Sequence, residues 1–209
     1  KFFIEKEKIG KWMTVEGVMN EIEKETVFYD ESGGGVTFSG GEPLNQFSFF
    51  LALLQACKKK NIHTTLDTSG YCNEEKFREL LEKVDLYLYD IKILNDSLHK
   101  KYTGVSNKVS LNNLRTLTEA KENVILRFPI IPGITDTLEN INDLKAFLGS
   151  FNHDIKEVHL LPYHNIATNK YKRLHITNRM KGVRNLEKKD LTGLKTEFEK
   201  EGYIVKIAG

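Results

Sequence analysis

The chain has 209 residues, with 31 Lys and Arg against 29 Asp and Glu, so its formal net charge is only +2. Because charges of both signs are spread along the chain, no basic patch suggests nucleic-acid binding. No apolar run reaches the length of a membrane span and no signal peptide opens the sequence, so we expect a cytoplasmic protein without membrane contact. The two cysteines, Cys57 and Cys72, fit a reducing compartment.

Strand and helix patterns alternate along most of the chain. Residues 1–12 are highly charged, and we interpret them as the remnant of an upstream insert or linker. The remaining pattern predicts helices at 14–25, 47–60, 73–84, 96–102, 111–120, 137–148 and 188–201, and strands at 35–39, 62–67, 86–92, 124–130, 157–161 and 203–207. This alternation predicts one α/β domain of about six parallel strands joined by right-handed crossovers, fewer than a closed (β/α) barrel contains.

A glycine-rich segment, Gly-Gly-Gly-Val-Thr-Phe-Ser-Gly-Gly-Glu-Pro-Leu at 33–44, follows the pattern strand, loop, helix. A phosphate-binding P-loop requires Lys followed by Ser or Thr after its last glycine, but Glu42 and Pro43 stand there. A dinucleotide-binding loop requires G-x-G-x-x-G after the strand, whereas only Gly40 and Gly41 follow it. The loop therefore favours a ligand with a positive group, such as an ammonium, and a tight turn without a ligand is the alternative.

Ionisable side chains recur where the predicted strands end, which is where parallel α/β folds bind ligands. They are Glu42, Asp67, Asp90 with Lys92, Arg127 and His164, and the polar Thr68 follows Asp67. Each has an ordinary structural explanation: a turn cap for Asp67, a salt bridge for Asp90 and Lys92, a structural role for Arg127 and a loop hydrogen bond for His164. Together, however, Asp67 and Asp90 offer hard oxygen ligands that suit a cation.

The ordered set of motifs resembles the glycyl radical enzyme activating enzymes, among them pyruvate formate-lyase activating enzyme, within the radical S-adenosylmethionine superfamily. The motifs are the 33–44 segment, Thr-Leu-Asp-Thr-Ser-Gly-Tyr at 65–71, Asp-Ile-Lys at 90–92, Arg-Phe-Pro-Ile-Ile-Pro-Gly at 127–133 and Leu-Leu-Pro-Tyr-His at 160–164. The resemblance runs from about residue 13 to the C-terminus, and it implies a single radical-SAM core domain over 1–209. It also implies a partial, open (β/α) barrel.

The resemblance implies a role for each matching residue. Gly40, Gly41 and Glu42 would receive the amino group of S-adenosylmethionine, and Lys92, preceded by Ile91, would meet its carboxylate. Asp67, Thr68 and Asp90 would help hold a monovalent cation, Asp67 within the cofactor pocket. The remaining cofactor-site residues would be Arg127, which lines the site or receives the partner's glycine loop, and His164.

The implied activity involves two partners. Members of the family cleave S-adenosylmethionine reductively with a four-iron four-sulfur cluster, and the radical released takes a hydrogen atom from a glycine of a partner. The partner would be a glycyl radical enzyme similar to formate acetyltransferase, with flavodoxin or ferredoxin as electron donor.

One departure from the family is large: its C-x₃-C-x₂-C cluster motif is absent from the 209 residues, and so is its first strand. We interpret the chain as truncated at its N-terminus, with no catalytic residue of its own, with the cluster confined to the full-length protein, and inactive in this form. The alternative is a non-catalytic ligand- or partner-binding module of the same fold. A third interpretation is a metal-assisted barrel enzyme that uses Asp67, Asp90 and His164.

Overall fold

The computed structural model describes residues 10–152, 154–167, 177, 180 and 182–208. Most of the predicted N-terminal remnant therefore lies outside the described residues. The α-helices are α1 Val15–Glu23, α2 Thr26–Ser32, α3 Phe47–Lys59, α4 Glu74–Arg78, α5 Asp96–Thr103, α6 Lys108–Glu119, α7 Leu138–Gly149 and α8 Thr192–Lys200. The strands are β1 Gly35–Phe38, β2 His63–Thr68, β3 Leu86–Asp90, β4 Val124–Ile130, β5 Glu157–Pro162 and β6 Ile204–Ile207. Short 3₁₀ helices span Pro43–Gln46, Asn165–Ala167 and Lys188–Leu191.

The strands described form one six-stranded parallel sheet in which neighbours in sequence are neighbours in space, from β1 to β6. Alternate residues of each strand point to opposite faces. On β3, Tyr87 and Tyr89 are fully buried with the helix side chains, whereas Leu86, Leu88 and Asp90 are partly exposed on the other face. Helices thus cover one face only, and the predicted partial, open (β/α) barrel is confirmed.

Most predicted elements lie within a few residues of their observed positions, but helix α2 was missed. It has no buried residue, and its sequence, Thr-Val-Phe-Tyr-Asp-Glu-Ser, is rich in β-branched and aromatic side chains. The hydrophobic periodicity that identifies a helix is therefore absent. The helix predicted at 73–84 is also too long, because α4 ends at Arg78 and the chain turns back through Glu82, whose φ is +62°. None of the helices among the described residues has the length and apolar character that crossing a membrane requires.

Asp85 ties three elements together just before β3. Its Oδ2 accepts hydrogen bonds from the backbone N–H and the hydroxyl of Thr64, both at 2.8 Å, and its Oδ1 lies 2.5 Å from Lys58 Nζ on α3. Burial raises the pKa of this carboxyl, but the hydrogen bonds from Lys58 and Thr64 outweigh burial and hold the pKa below its usual value of 3.8. The ionised form is thus the one that stabilises the fold.

We therefore predict that Asp85→Asn destabilises the protein in a pH-dependent way. A carboxyl whose pKa is lowered by folding contributes stability above its unfolded pKa, and this is lost as the pH falls through the folded pKa. The free energy of unfolding should fall by about 1 to 2 kcal/mol at pH 7 and by much less near pH 3. Urea titrations across this range will measure it. The exposed Asp143→Asn is the control, and a deficit that does not change with pH would contradict the prediction.

Candidate functional site

A cavity of about 340 Å³ lies at the carboxyl ends of strands β1 to β3, beside the middle of β4, and we call it the strand-end cavity. Because the strands are parallel, the residues that follow them meet at one edge of the sheet. The cavity brings together most of the predicted site residues. Its lining consists of Gly40, Gly41, Glu42, Asp67, Thr68, Ser69, Asp90, Lys92 and Arg127.

The glycine loop forms one wall of the strand-end cavity. Gly40 and Gly41 have φ angles of +81° and +60°, in the left-handed region that disfavours other residues. A Cβ added at either position would meet no atom within 4 Å, so the backbone conformation, rather than crowding, requires glycine here. This wall therefore presents bare peptide groups, which can approach a ligand closely.

Glu42 is held in place by the loop after β2. Its Oε1 accepts a hydrogen bond from Thr68 Oγ1 at 2.7 Å. Its Oε2 accepts from the backbone N–H of Ser69 at 3.0 Å and from Ser69 Oγ at 2.6 Å. The carboxylate thus joins the first two strand ends. Its Oε1 also accepts from the backbone N–H of Leu44 at 3.4 Å, a long and weak bond, so this oxygen is the one that a ligand ammonium could most readily reach. Ser69, which fixes this carboxylate, was not among the predicted site residues.

The other wall carries two carboxylates and two cations, contributed by the ends of β2 and β3 and by the middle of β4. Arg127 Nη1 lies 2.5 Å from Asp67 Oδ2, and Arg127 Nε lies 3.7 Å from Asp90 Oδ1. Lys92 Nζ lies 3.1 Å from Asp90 Oδ2. Asp67, Asp90 and Arg127 are each only about a quarter exposed, at 24% to 26%. The formal charges therefore balance, which is how two neighbouring carboxylates avoid repelling each other.

One oxygen in this network is unsatisfied. Asp90 Oδ1 is shielded from solvent, and among the described residues no donor lies within hydrogen-bond distance of it. Such an atom loses its bonds to water without replacement, which costs about 1 to 3 kcal/mol. A bound ligand donor or cation would remove this penalty.

Two predicted site residues, Ile91 and His164, do not line the strand-end cavity. The Ile91 side chain is 3% exposed and packs in the core, and its backbone N–H donates to the Arg127 carbonyl at 3.0 Å. Only the backbone of Ile91 could therefore meet a ligand. His164 is exposed and lines a second cavity of about 410 Å³, which shares Arg127 with the strand-end cavity.

Sequence reasoning also missed a polar cluster on the open face of the sheet. His159 Nε2 lies 2.6 Å from Glu157 Oε1, and Lys206 Nζ lies 2.7 Å from the same oxygen. Hydrogen bonds from Lys206 and His159 lower the pKa of Glu157. His159 pairs in register with Arg127 and lines the second cavity. Alternation along β5 puts Glu157 and His159 on one face, and this spacing was the signal available.

The sequence matches known proteins over most of its length. A family profile described as the radical SAM superfamily matches residues 3–145. The chain is 38% identical over 207 residues to trans-4-hydroxy-L-proline dehydratase activating enzyme of Clostridioides difficile, covering 98% of this chain and 68% of the relative. It is 43% identical over 176 residues to (2S)-3-sulfopropanediol dehydratase activating enzyme of Klebsiella oxytoca, covering 84% of this chain and 56% of the relative.

A further relative and a solved structure belong to the same group of activating enzymes. Pyruvate formate-lyase 1-activating enzyme of Escherichia coli K12 is 35% identical over 201 residues, covering 94% of this chain and 80% of the relative. The chain thus spans 56% to 80% of the lengths of these three relatives. A crystal structure of a domain of pyruvate-formate lyase-activating enzyme from Bacteroides vulgatus superposes with a TM-score of 0.70 at 27% identity, covering 84% of this chain and 99% of that one. The chain therefore belongs to the radical SAM superfamily and, within it, to the activating enzymes of glycyl radical enzymes.

Proposed function

We propose that the strand-end cavity binds S-adenosylmethionine by its methionine end. One wall carries acceptors, the carboxylate of Glu42 and the bare peptide groups of Gly40 and Gly41. The other carries the cations Lys92 and Arg127, which pair with Asp90 and Asp67 there and leave donors for a ligand carboxylate. A zwitterion with an ammonium and a carboxylate on one carbon matches such a pair of walls. The presence of acceptors for an ammonium and of cations for a carboxylate in one cavity is the observation that carries the proposal.

Each group has a separate task in this proposal. Glu42, held by Thr68 and Ser69, orients the ligand ammonium, and Lys92 pairs with the ligand carboxylate. S-adenosylmethionine, when bound, supplies the group that removes a hydrogen atom from the substrate. The second cavity, which Arg127 and His164 line, shares Arg127 with the strand-end cavity and would be the place where the substrate enters.

We extend the proposal to the whole protein, which would activate a glycyl radical enzyme by removing a hydrogen atom from one of its glycines. The support is the set of relatives, which are named as activating enzymes of dehydratases and lyases. Flavodoxin or ferredoxin would donate the electron, and the cytoplasm, which suits the two free thiols, would be the location.

The sulfur atoms of this chain do not fit a four-iron four-sulfur cluster, which needs thiolate ligands. Cys57 is buried against Met19, its Sγ 3.8 Å from the thioether, and burial raises its pKa to about 11. Burial also raises the pKa of Cys72. Across the part of the chain described, no group of three or more His, Cys, Asp or Glu side chains could hold a metal ion. We therefore propose that this chain alone is inactive.

A monovalent cation beside Asp67, Thr68 and Asp90 is a further part of the proposal. The unsatisfied Asp90 Oδ1 supports it. However, Arg127 and Lys92 already neutralise the charges of both carboxylates, so we expect such a cation to bind weakly. Its effect would be to give Asp90 Oδ1 a partner.

Binding of S-adenosylmethionine to this chain tests the proposed function. We expect weak binding, detectable by saturation-transfer NMR, because no iron is present to chelate the methionine group. Lys92→Ala should weaken it about tenfold, the effect of one charged hydrogen bond, whereas Lys60→Ala, on the exposed end of α3, should not. Lack of saturation transfer at millimolar ligand would reject the proposal. Equal binding of free methionine would favour the non-catalytic amino acid-binding module.

A further inference from the structure

The loops after β3 and β4 are joined through one buried side chain, that of Asn140 on α7. This residue is 5% exposed. Its Nδ2 donates to the carbonyls of Lys92 and Thr135, both at 2.9 Å, and its Oδ1 accepts from the backbone N–H of Leu94 at 2.9 Å. Both amide hydrogens and the amide oxygen of Asn140 are therefore hydrogen-bonded. Two of these three bonds go to Lys92 and Leu94, the neighbours of Ile93 in the chain.

Thr135 carries this connection on to the end of β4. It is 1% exposed. Its hydroxyl donates to the carbonyl of Pro129 at 2.6 Å and accepts from the backbone N–H of Ile131 at 2.7 Å. Pro129 stands two residues after Arg127 on the same strand. The chain of bonds thus runs from the backbone of Lys92 to β4, the strand that carries Arg127.

A second buried amide holds the same loop from the other side. Asn107 is 3% exposed, and its Nδ2 donates to the carbonyls of Ile93 at 3.0 Å and Leu94 at 2.6 Å. Three successive carbonyls, at residues 92 to 94, are therefore held by two asparagines. A shift of this backbone would break buried hydrogen bonds, each costing about 1 to 3 kcal/mol when left unmade.

We propose that Asn140 is a positioning residue that sets Lys92 in the strand-end cavity. By fixing the Lys92 carbonyl and the Leu94 N–H, it fixes the backbone from which the ammonium reaches Asp90 and the cavity. An amide suits the position because a carboxylate would direct an oxygen at the Lys92 and Thr135 carbonyls. The positioning of Lys92 by Asn140 does not depend on any ligand. Its effect on the binding of a ligand carboxylate, however, rests on the proposed function.

Amide hydrogen exchange and side-chain NMR of the chain without ligand test the first step. Asn140→Ala should speed exchange at Leu94 and at 131–135 by about tenfold or more, which corresponds to the loss of a buried hydrogen bond of about 1.4 kcal/mol. It should also move the Lys92 Nζ resonance toward that of the exposed Lys59. Asn140→Asp, which keeps the shape but loses the donors, is the second variant.

The matched control is Asn113→Ala. Asn113 is fully buried, and its Nδ2 also donates to two loop carbonyls, those of Gly70 and Cys72, both at 2.8 Å. This variant should loosen the loop at 70–72 and leave Lys92 unchanged. The proposal is overturned if Asn140→Ala leaves Lys92 as in the wild type, if both variants loosen both loops alike, or if neither Asn140 variant folds.

Ligand selectivity tests the second step. S-adenosylmethionine and its decarboxylated analogue differ only in the carboxylate, so their affinity ratio measures what the carboxylate contributes to binding, which includes its pairing with Lys92. Asn140→Ala should reduce that ratio about tenfold, while Asn113→Ala should change both affinities by the same factor. An unchanged ratio would overturn the positioning step for ligand binding. If the wild type bound neither compound, the proposed function would fail, and the exchange data would still decide the role of Asn140 in the chain.

Discussion

Arg127→Met is expected to lower the free energy of unfolding by about 2 to 3 kcal/mol at neutral pH. Arg127 contacts both Asp67 and Asp90, and all three side chains are only about a quarter exposed. Removing one partner of a buried ion pair leaves the other charges desolvated and uncompensated, which costs about 3 to 5 kcal/mol in full burial and less here. Methionine keeps the apolar stem, so the loss reports the guanidinium. Urea denaturation will measure it.

The control for this prediction is Arg78→Met. Arg78 also pairs with a carboxylate, Glu74, at 2.9 Å, but that pair lies on the surface of α4 with both side chains about half exposed. Exposed pairs of this kind contribute about 0.3 to 0.5 kcal/mol. Adding Asp67→Asn to Arg127→Met should restore part of the loss, since it removes one uncompensated charge. Equal effects of the two arginine substitutions would show that the Arg127 network is as weakly coupled as a surface pair.

Gly70→Ala is expected to be the most destabilising single substitution near the site, at about 3 to 5 kcal/mol. Gly70 follows the Thr68-Ser69 loop that holds Glu42, and its φ is +65°. A Cβ built there would overlap the hydroxyl and the ring of Tyr89, which is fully buried. Tyr89 cannot easily move, because its hydroxyl donates to the carbonyl of Ser110 at 2.6 Å. Burial raises the pKa of Tyr89, so this donor stays protonated.

Gly104→Ala separates backbone strain from overlap in this experiment. Gly104 ends α5 with a φ of +87°, and a Cβ there would meet no atom within 4 Å. It should therefore cost only the left-handed backbone term, about 1 to 2 kcal/mol. Tyr89→Phe should lower the free energy of unfolding less in the Gly70→Ala background than in the wild type. The reason is that it removes the Tyr89 hydroxyl oxygen, one of the atoms that the new Cβ overlaps. Thermal or urea unfolding that ranks Gly104→Ala level with Gly70→Ala would argue against the overlap.

The sequence predicted which residues gather at the site better than how they contact one another. Alternation of strands and helices, together with the parallel-sheet rule, predicted that Asp67, Asp90, Lys92 and Arg127 lie close together, and in the structure all four line the strand-end cavity. It did not predict that Arg127 would lie between Asp67 and Asp90. Their pairing depends on the register of β3 and β4, in which Asp90 stands opposite Arg127, and register is not visible in local sequence.

Helix α2 and the buried asparagines are two features that local sequence patterns did not predict. Helix α2 has no buried face, so it left no hydrophobic period to detect. Asn107, Asn113 and Asn140 are buried within helical or loop segments where asparagine ordinarily indicates a cap or a turn. Their carbonyl partners lie 5 to 48 residues away in the sequence, and the shortest separation is that of Asn140 from Thr135. Only a folded backbone brings those carbonyls within reach.

The sequence by itself determined the alternation of elements, the left-handed glycine loop at 40–41 and the presence of only two cysteines. These properties depend on side-chain period, backbone freedom and composition, all of which neighbouring residues specify. Only the tertiary structure decided that Ser69 holds Glu42, that Arg127 and Lys92 offset Asp67 and Asp90, and that Asn140 secures the loop of Lys92. The physical reason is that a hydrogen bond or ion pair depends on distances of about 3 Å, and these follow from strand register and helix packing.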